Sequence, residues 1–156
     1  MLFTGEFEHT IDSKGRMAIP SEIRARMQKA EDGEAFYLTL GSNSALRLYP
    51  EKGFERLAAM IEEGLVTDEA VQEFDQLLFP LSRRLELDSA GRIRLPDRMM
   101  ERAGIGKDVV LIGVRDHLEI RDLTQWNAEL EERLAKQEEI FKRFVRRDRL
   151  GGPDRD

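Results

Sequence analysis

Cysteine is absent from the 156 residues, which excludes disulfides, thiolate nucleophiles and cysteine-ligated metals. A reducing compartment suits such a chain, and the cytoplasm is the expected address. Histidine occurs only twice, at His9 and His117, and two isolated histidines make no metal signature. Apolar runs such as Val109-Val110-Leu111-Ile112 fall far short of the roughly 20 residues of a spanning helix, so no membrane partner is expected. The opening Met1-Leu2-Phe3-Thr4-Gly5-Glu6 has neither a basic start nor an apolar stretch, so no secretory signal is expected. No glycine-rich phosphate loop, organised nucleophile or ligand cluster is visible, which argues against an enzyme, a cofactor or a small-molecule substrate. What is present is 40% hydrophobic and 36% charged residues, enough apolar material for one ordinary domain or two very small ones.

Net charge is −6, which taken whole disfavours a nucleic-acid partner. The charge is segregated, however, and binding responds to the local field. Residues 14–29 carry Lys14, Arg16, Arg24, Arg26 and Lys29 against Glu22, five cations and one acid for a net of +4. Residues 51–75 carry eight acids against Lys52 and Arg56, a net of −6 that matches the whole chain. Charge alone is equally compatible with two solvated faces.

The chain repeats itself. Ile11-Asp12-Ser13-Lys14-Gly15-Arg16-Met17-Ala18-Ile19-Pro20 matches Leu87-Asp88-Ser89-Ala90-Gly91-Arg92-Ile93-Arg94-Leu95-Pro96 at an offset of 76. Further on, Tyr37-Leu38-Thr39-Leu40-Gly41 resembles Val109-Val110-Leu111-Ile112-Gly113, and Leu46-Arg47-Leu48 resembles Leu118-Glu119-Ile120, both at an offset of 72. Phe54 and Trp126 correspond at the same offset. Each copy predicts two short strands (6–11 and 17–19 in the first) joined by an Asp-to-Gly turn. Asp bonds its own backbone there, and Gly tolerates positive φ. Pro20 and Pro96 end strand pairing. Helices follow, from Ser21 as cap to about Met27 in one copy and from Asp97 to Ala103 in the other, with Gly104 as helix end. A second hairpin spans 36–40 and 46–49. Acidic helices are expected over 51–63 and 67–79, with Thr67 as cap. One long helix is expected over 123–148, with Trp126, Leu130, Leu134, Phe141 and Phe144 in a stripe. Gly151-Gly152-Pro153 begins an expected disordered tail.

A unit of about 48 residues with four short strands cannot bury enough apolar surface by itself. Its natural partner is the other copy. The expected fold is therefore α+β, with one β core built by both copies about a pseudo-twofold axis and with flanking helices. The two Asp-to-Arg turns should then project together.

Two D-x-x-x-R turns in strand–turn–strand–Pro context resemble the paired motifs of the MraZ family, within the wider AbrB/SpoVT class of swapped-hairpin DNA-binding domains. Leu48-Tyr49-Pro50, Ala103-Gly104-Ile105 and Trp126 fit the same pattern. The resemblance implies two tandem AbrB/SpoVT-like units, at 5–52 and 81–124. An acidic helical connector at 53–80, a C-terminal helix at 125–148 and a tail at 149–156 complete the chain. It also implies a bacterial, sequence-specific transcriptional regulator, a repressor acting on repeats upstream of the division and cell wall gene cluster. A ring-shaped homo-oligomer, double-stranded DNA as partner and a nucleoid-associated location belong to the same implication. Two positions depart from the family pattern. Met100 stands where Arg24 stands in the first copy, suggesting fewer contacts at the second turn. Arg121 stands where an aromatic is frequent, bearing on how the last helix packs.

Arg16 and Arg92 are the expected DNA contacts, since a guanidinium forks onto phosphate or guanine. Lys14 and Arg24 are expected to clamp phosphates, setting register without reading sequence. Arg94, Arg83 and Arg84 are further cations, equally suited to a solvated strand face. Asp12 and Asp88, which would repel DNA, are expected with Gly15 and Gly91 to form the turns and orient the arginines. Arg143, Arg146, Arg147 and Arg149 suit the C-terminal end of a helix dipole. Two rival functions remain at this stage: a protein-interaction module acting through the helical faces, and a hydrolase using Asp and Glu.

Overall fold

A computed structural model describes residues 1–62 and 68–151. The chain begins with strands β1 (Glu6–Thr10) and β2 (Arg16–Ala18) and short helices α1 (Ser21–Arg26) and α2 (Lys29–Asp32). Strands β3 (Ala35–Leu40) and β4 (Leu46–Pro50) then lead to helices α3 (Glu51–Glu62) and α4 (Glu69–Leu81). The order then recurs as β5 (Arg83–Glu86), β6 (Arg92–Arg94), α5 (Asp97–Ala103), β7 (Asp108–Val114), β8 (His117–Asp122), α6 (Leu123–Ala135) and α7 (Gln137–Gly151). The fold is mixed α+β, and the chain divides into two compact units, Met1–Leu123 and Thr124–Asp156. Both copies of the repeat lie in the first.

Neither copy closes on itself. A six-stranded sheet runs β1-β7-β8-β4-β3-β5, and a separate ribbon pairs β2 with β6, with antiparallel neighbours throughout. The first strand of each copy thus pairs with the third strand of the other: β1 with β7, and β5 with β3. The ribbon register is symmetric, with Arg16 opposite Arg94, Met17 opposite Ile93 and Ala18 opposite Arg92. The β4–β8 register is symmetric too, pairing Leu46 with Ile120 and Leu48 with Leu118 about Arg47 and Glu119. The pseudo-twofold axis passes through both pairings.

This ladder corrects one alignment. Thr10 opposes Asp108, while its counterpart Glu86 opposes Ala35. With β1 and β5 offset by 76, β3 and β7 must be offset by 73 rather than 72. Phe36 and Leu38 therefore correspond to Val109 and Leu111, and all four are fully buried. The four-residue shortening of the second copy is split, with one residue lost in the β7–β8 turn. Side-chain similarity alone misplaced the strand because apolar residues occupy neighbouring positions on both faces of this doubly covered sheet.

One sheet face, carrying Phe36, Leu38, Leu46, Leu48 and their counterparts, shares a single core with Met17, Ile19, Ile93 and Leu95 of the ribbon. On the opposite face Tyr37 stacks on Phe54 of α3 at 4.7 Å between centroids, and Phe54 meets Phe79 of α4 at 5.8 Å. Pro20, not Ser21, occupies the cap position of α1, without a side-chain bond. Asp68 caps α4 by accepting from Ala70 N at 3.0 Å, and the expected cap Thr67 lies outside the described residues. Helix α5 and its left-handed Gly104 end at the expected places. The expected single C-terminal helix is divided at Lys136, whose N–H is shared between the Glu132 and Arg133 carbonyls at 3.2 and 3.1 Å and so tightens the turn. Helix α7 continues to Gly151, and the rest of the expected tail, 152–156, lies outside the described residues.

Candidate nucleic-acid interface

The two D-x-x-x-R turns are built by one device used twice. Asp12 Oδ1 accepts from Lys14 N at 3.0 Å and Arg16 N at 2.8 Å, and Gly15 N donates to the Asp12 carbonyl at 3.0 Å. Asp88 Oδ1 accepts from Ala90 N and Arg92 N, both at 2.9 Å, and Gly91 N donates to its carbonyl at 3.0 Å. Gly15 and Gly91 have φ of +76° and +75°, where a side chain is strained. The second carboxylate oxygen holds the arginine: Arg16 Nε donates to Asp12 Oδ2 at 2.7 Å and Arg92 Nε to Asp88 Oδ2 at 2.9 Å. Only the Nε edge is spent, and the terminal nitrogens of both arginines make no hydrogen bond among the described residues.

These bonds keep both acids ionised. The backbone N–H of Arg16, opposed by partial desolvation and supported by its guanidinium and Lys14 N, holds the Asp12 carboxyl below the usual range. Arg92 and Ala90 do the same for Asp88.

The ribbon brings the turns together. Residues 16, 18, 92 and 94 share its outer face, because Met17 and Ile93 between them point into the core at 1% and 0% exposure. Arg16, Arg92 and Arg94 thus form one surface that neither copy could make alone. Arg16 and Arg94 stand directly opposite each other, and directly opposed like charges are destabilising in a sheet. Asp12 offsets Arg16, while Arg94 has no carboxylate partner among the described residues. Adding Lys14 and Arg24 gives five cations against Asp12 and Asp88, a net of +3 on an acidic protein.

Arg24 sits where the linear sequence does not suggest. Its Nε donates to the Ile19 carbonyl at 3.0 Å, and a Cβ at Gly91 would overlap its guanidinium. It therefore supports the second turn, across the ribbon from its own copy. The departure at Met100 removes a cation from beside the first turn, the reverse of what its place in the second copy suggests. Arg83 and Arg84 are occupied elsewhere: Arg83 donates to the Pro80 and Ser82 carbonyls at 2.9 Å, and Arg84 binds Glu51 and Glu86 at 2.7 Å. Arg143 lies on α7, 3.8 Å from Glu139. Arg146 and Arg147 are exposed on the same helix, and the Arg149 side chain lies outside the described residues.

A sequence profile described as "MraZ protein, putative antitoxin-like" matches residues 2–75 and 79–148, spanning both copies. The chain belongs to the MraZ family. A protein of Acetivibrio thermocellus named transcriptional regulator MraZ is 35% identical over 127 residues, 81% of this chain and 85% of that one. Its namesake in Symbiobacterium thermophilum is 37% identical over 122 residues, covering 78% and 85%. A third, from Heliobacterium modesticaldum, is 31% identical over 144 residues, covering 92% and 97%. The MraZ family is thus one of regulators rather than enzymes.

Sequence reasoning missed a polar cluster built around a buried histidine. His117, 7% exposed, places Nδ1 2.8 Å from Asp116 Oδ1 and Nε2 3.0 Å from Glu119 Oε2, and stacks on Tyr49 at 5.0 Å. Burial lowers its pKa, but the two carboxylates outweigh burial and raise it overall. Arg121, 3% exposed, lies on the same strand and, by alternation, on the same face as His117 and Glu119, opposite the face of Leu118 and Ile120. The only signal in the sequence was alternation of charge at 117, 119 and 121, which also fits an exposed face. Among the described residues no group of His, Asp and Glu is arranged to hold a metal.

Proposed function

We propose that the chain is a sequence-specific DNA-binding transcriptional regulator that meets duplex DNA through the outer face of the β2–β6 ribbon. The observation that carries this reading is the convergence of Arg16, Arg92 and Arg94 on one face, each with free donors, about the pseudo-twofold axis. Arg16 and Arg92 reach base edges or phosphates, Arg94 adds a third fork, and Lys14 and Arg24 clamp phosphates at opposite ends. Asp12, Gly15, Asp88 and Gly91 keep the turns and the arginine rotamers in place. The crossed pairing of first and third strands supports a swapped-hairpin core of AbrB/SpoVT type, made by units at 5–52 and 81–124. An acidic helical connector at 53–80, a C-terminal helix at 125–148 and a tail at 149–156 complete this division. The names of the relatives support transcription as the process; the mode we infer is repression, by occupying repeats upstream of the division and cell wall gene cluster. The protein acts in the cytoplasm, associated with the nucleoid.

One such surface makes few contacts, so useful affinity requires several. Apolar side chains left exposed on α4 (Phe74, Leu77) and on α7 (Phe141, Phe144) support self-association. Their surroundings are complementary in charge, acidic on α3–α4 and basic along α7. A head-to-tail contact of this kind closes into a ring, and linked surfaces then gain about 10²–10⁴ in avidity on repeated sites. The experiment is a titration of wild type and Arg16→Ala against the DNA upstream of the chain's own gene, at several salt concentrations, with light scattering on the same samples. Loss of salt-sensitive binding in the variant supports the reading, and equal binding by both proteins overturns it. Salt-insensitive binding of a protein through the helical faces would favour an interaction module instead.

A further inference from the structure

The pseudo-twofold axis gives each half of the core an internal standard of comparison. Beside the second turn, the Arg24 guanidinium packs against Gly91, which is buried, and donates to the Ile19 carbonyl. At the offset of 76 the counterparts of Arg24, Gly91 and Ile19 are Met100, Gly15 and Leu95. Met100 turns inward at 8% exposure and has no donor for the Leu95 carbonyl, and Gly15 is only half-buried. A hollow of about 420 Å³ opens there, bordered by Gly15, Leu95, Asp97, Met100, Glu101 and Lys107. A Cβ at Gly15 would stand 3.3 Å from the Leu95 carbonyl oxygen and 3.8 Å from Asp97 Oδ1, so both face the space that Arg24 fills on the other side.

The flanking residues change charge in step. Ser21 and Ala25 flank Arg24 on α1, and their counterparts on α5 are Asp97 and Glu101. At these two positions the copy with its own guanidinium is neutral and the copy without one carries carboxylates, while Glu22 and Arg26 of α1 have Arg98 and Arg102 as counterparts on α5. Neither Asp97 nor Glu101 forms an ion pair among the described residues. Asp12, also at the rim, is committed to Arg16 at 2.7 Å. Lys107 contributes one ammonium against two carboxylates, and a point charge does not reproduce a planar fork of donors.

We propose that this hollow is a receptor for a guanidinium group from outside the chain, seated over Gly15 and facing the Leu95 carbonyl, Asp97 and Glu101. The five donors of a guanidinium suit one carbonyl and two carboxylates. The volume admits a whole arginine side chain with its aliphatic stem on Met100. Once filled, the first turn carries the flanking cation that Arg24 gives the second.

The test uses the full chain labelled at its methionine methyls and titrated, without DNA, with agmatine, with N-acetyl-arginine amide and with an arginine-centred tripeptide. N-acetyl-lysine amide is the control. Expected are a saturable shift of the Met100 methyl and binding at least tenfold weaker for the lysine compound. Asp97→Asn with Glu101→Gln should weaken arginine binding at least tenfold, and Met100→Arg should abolish it by filling the site internally, both read by titration calorimetry on the same samples. The unshifted methyl of Met17, buried at 1% on the ribbon, reports that each variant is folded. Equal binding of agmatine and tripeptide identifies a small guanidinium ligand, and tighter binding of the tripeptide identifies an arginine on a protein partner. Absence of a saturable Met100 shift, equal binding of lysine and arginine, or indifference to the double substitution overturns the proposal.

Discussion

Arg94→Ala is the substitution that separates a DNA-facing ribbon from an ordinary charged surface, because it should move stability and binding in opposite directions. Arg94 faces Arg16 across the ribbon, and Asp12 is already engaged with Arg16 at 2.7 Å. Directly opposed like charges cost about 0.2–1 kcal/mol, so the free protein should gain a few tenths of a kcal/mol when Arg94 is removed. Binding should weaken. If Lys14, Arg16, Arg24, Arg92 and Arg94 each meet one phosphate, the log–log salt slope per surface is about −4.5, and affinity falls about 500-fold between 50 and 200 mM salt. With Arg94→Ala the slope becomes about −3.6 and the fall about 150-fold. The assay is fluorescence anisotropy on a duplex long enough for one surface, paired with urea unfolding of the same preparations. Arg83→Ala is the control, since Arg83 is bound to the Pro80 and Ser82 carbonyls away from the ribbon. An unchanged slope in Arg94→Ala, or the same loss in Arg83→Ala, refutes the assignment of the ribbon face to DNA.

Three further outcomes follow from the same geometry. Ile93→Ala removes a fully buried side chain at the symmetry axis and should cost about 2–5 kcal/mol in denaturant unfolding, while an alanine at exposed Ala18's neighbour Arg92 should cost far less. Asp12 and Asp88 have folded pKa values below the ordinary carboxylate value, so their contribution is present above about pH 4 and is lost as pH falls through the lowered values. Asp12→Asn with Asp88→Asn should therefore flatten the acid limb of a circular-dichroism titration. His117 has a raised folded pKa, so its contribution is complete below about pH 6.5 and is lost as pH rises through the folded value. His117→Gln should remove that loss on the alkaline side, and an unchanged profile would show that the Asp116 and Glu119 contacts do not hold the imidazolium.

The turns were legible because their chemistry is local. An Asp that bonds backbone two and four residues ahead, a Gly at positive φ and an Arg returning to the same Asp all lie within five residues, and the motif's recurrence pointed to two copies sharing a core. The β3–β7 offset, the crossing of Arg24 to the second turn and the inward His117 cluster were not legible, because each depends on a partner in the other copy. A position in the repeat says which turn an arginine follows, and the crossing of strands decides which turn it touches.

By itself, then, the sequence determined the duplicated turn, the strand stops at Pro20 and Pro96, the helix end at Gly104, and the need of each short unit for the other. Tertiary structure alone decided that Arg16, Arg92 and Arg94 share a face, that the first turn is flanked by carboxylates and the second by a guanidinium, and that His117 and Arg121 are buried. The reason is range: hydrogen bonds within a turn are set by neighbours along the chain, whereas the ribbon register joins strands 76 residues apart and is settled only when Met17 and Ile93 bury each other in a common core.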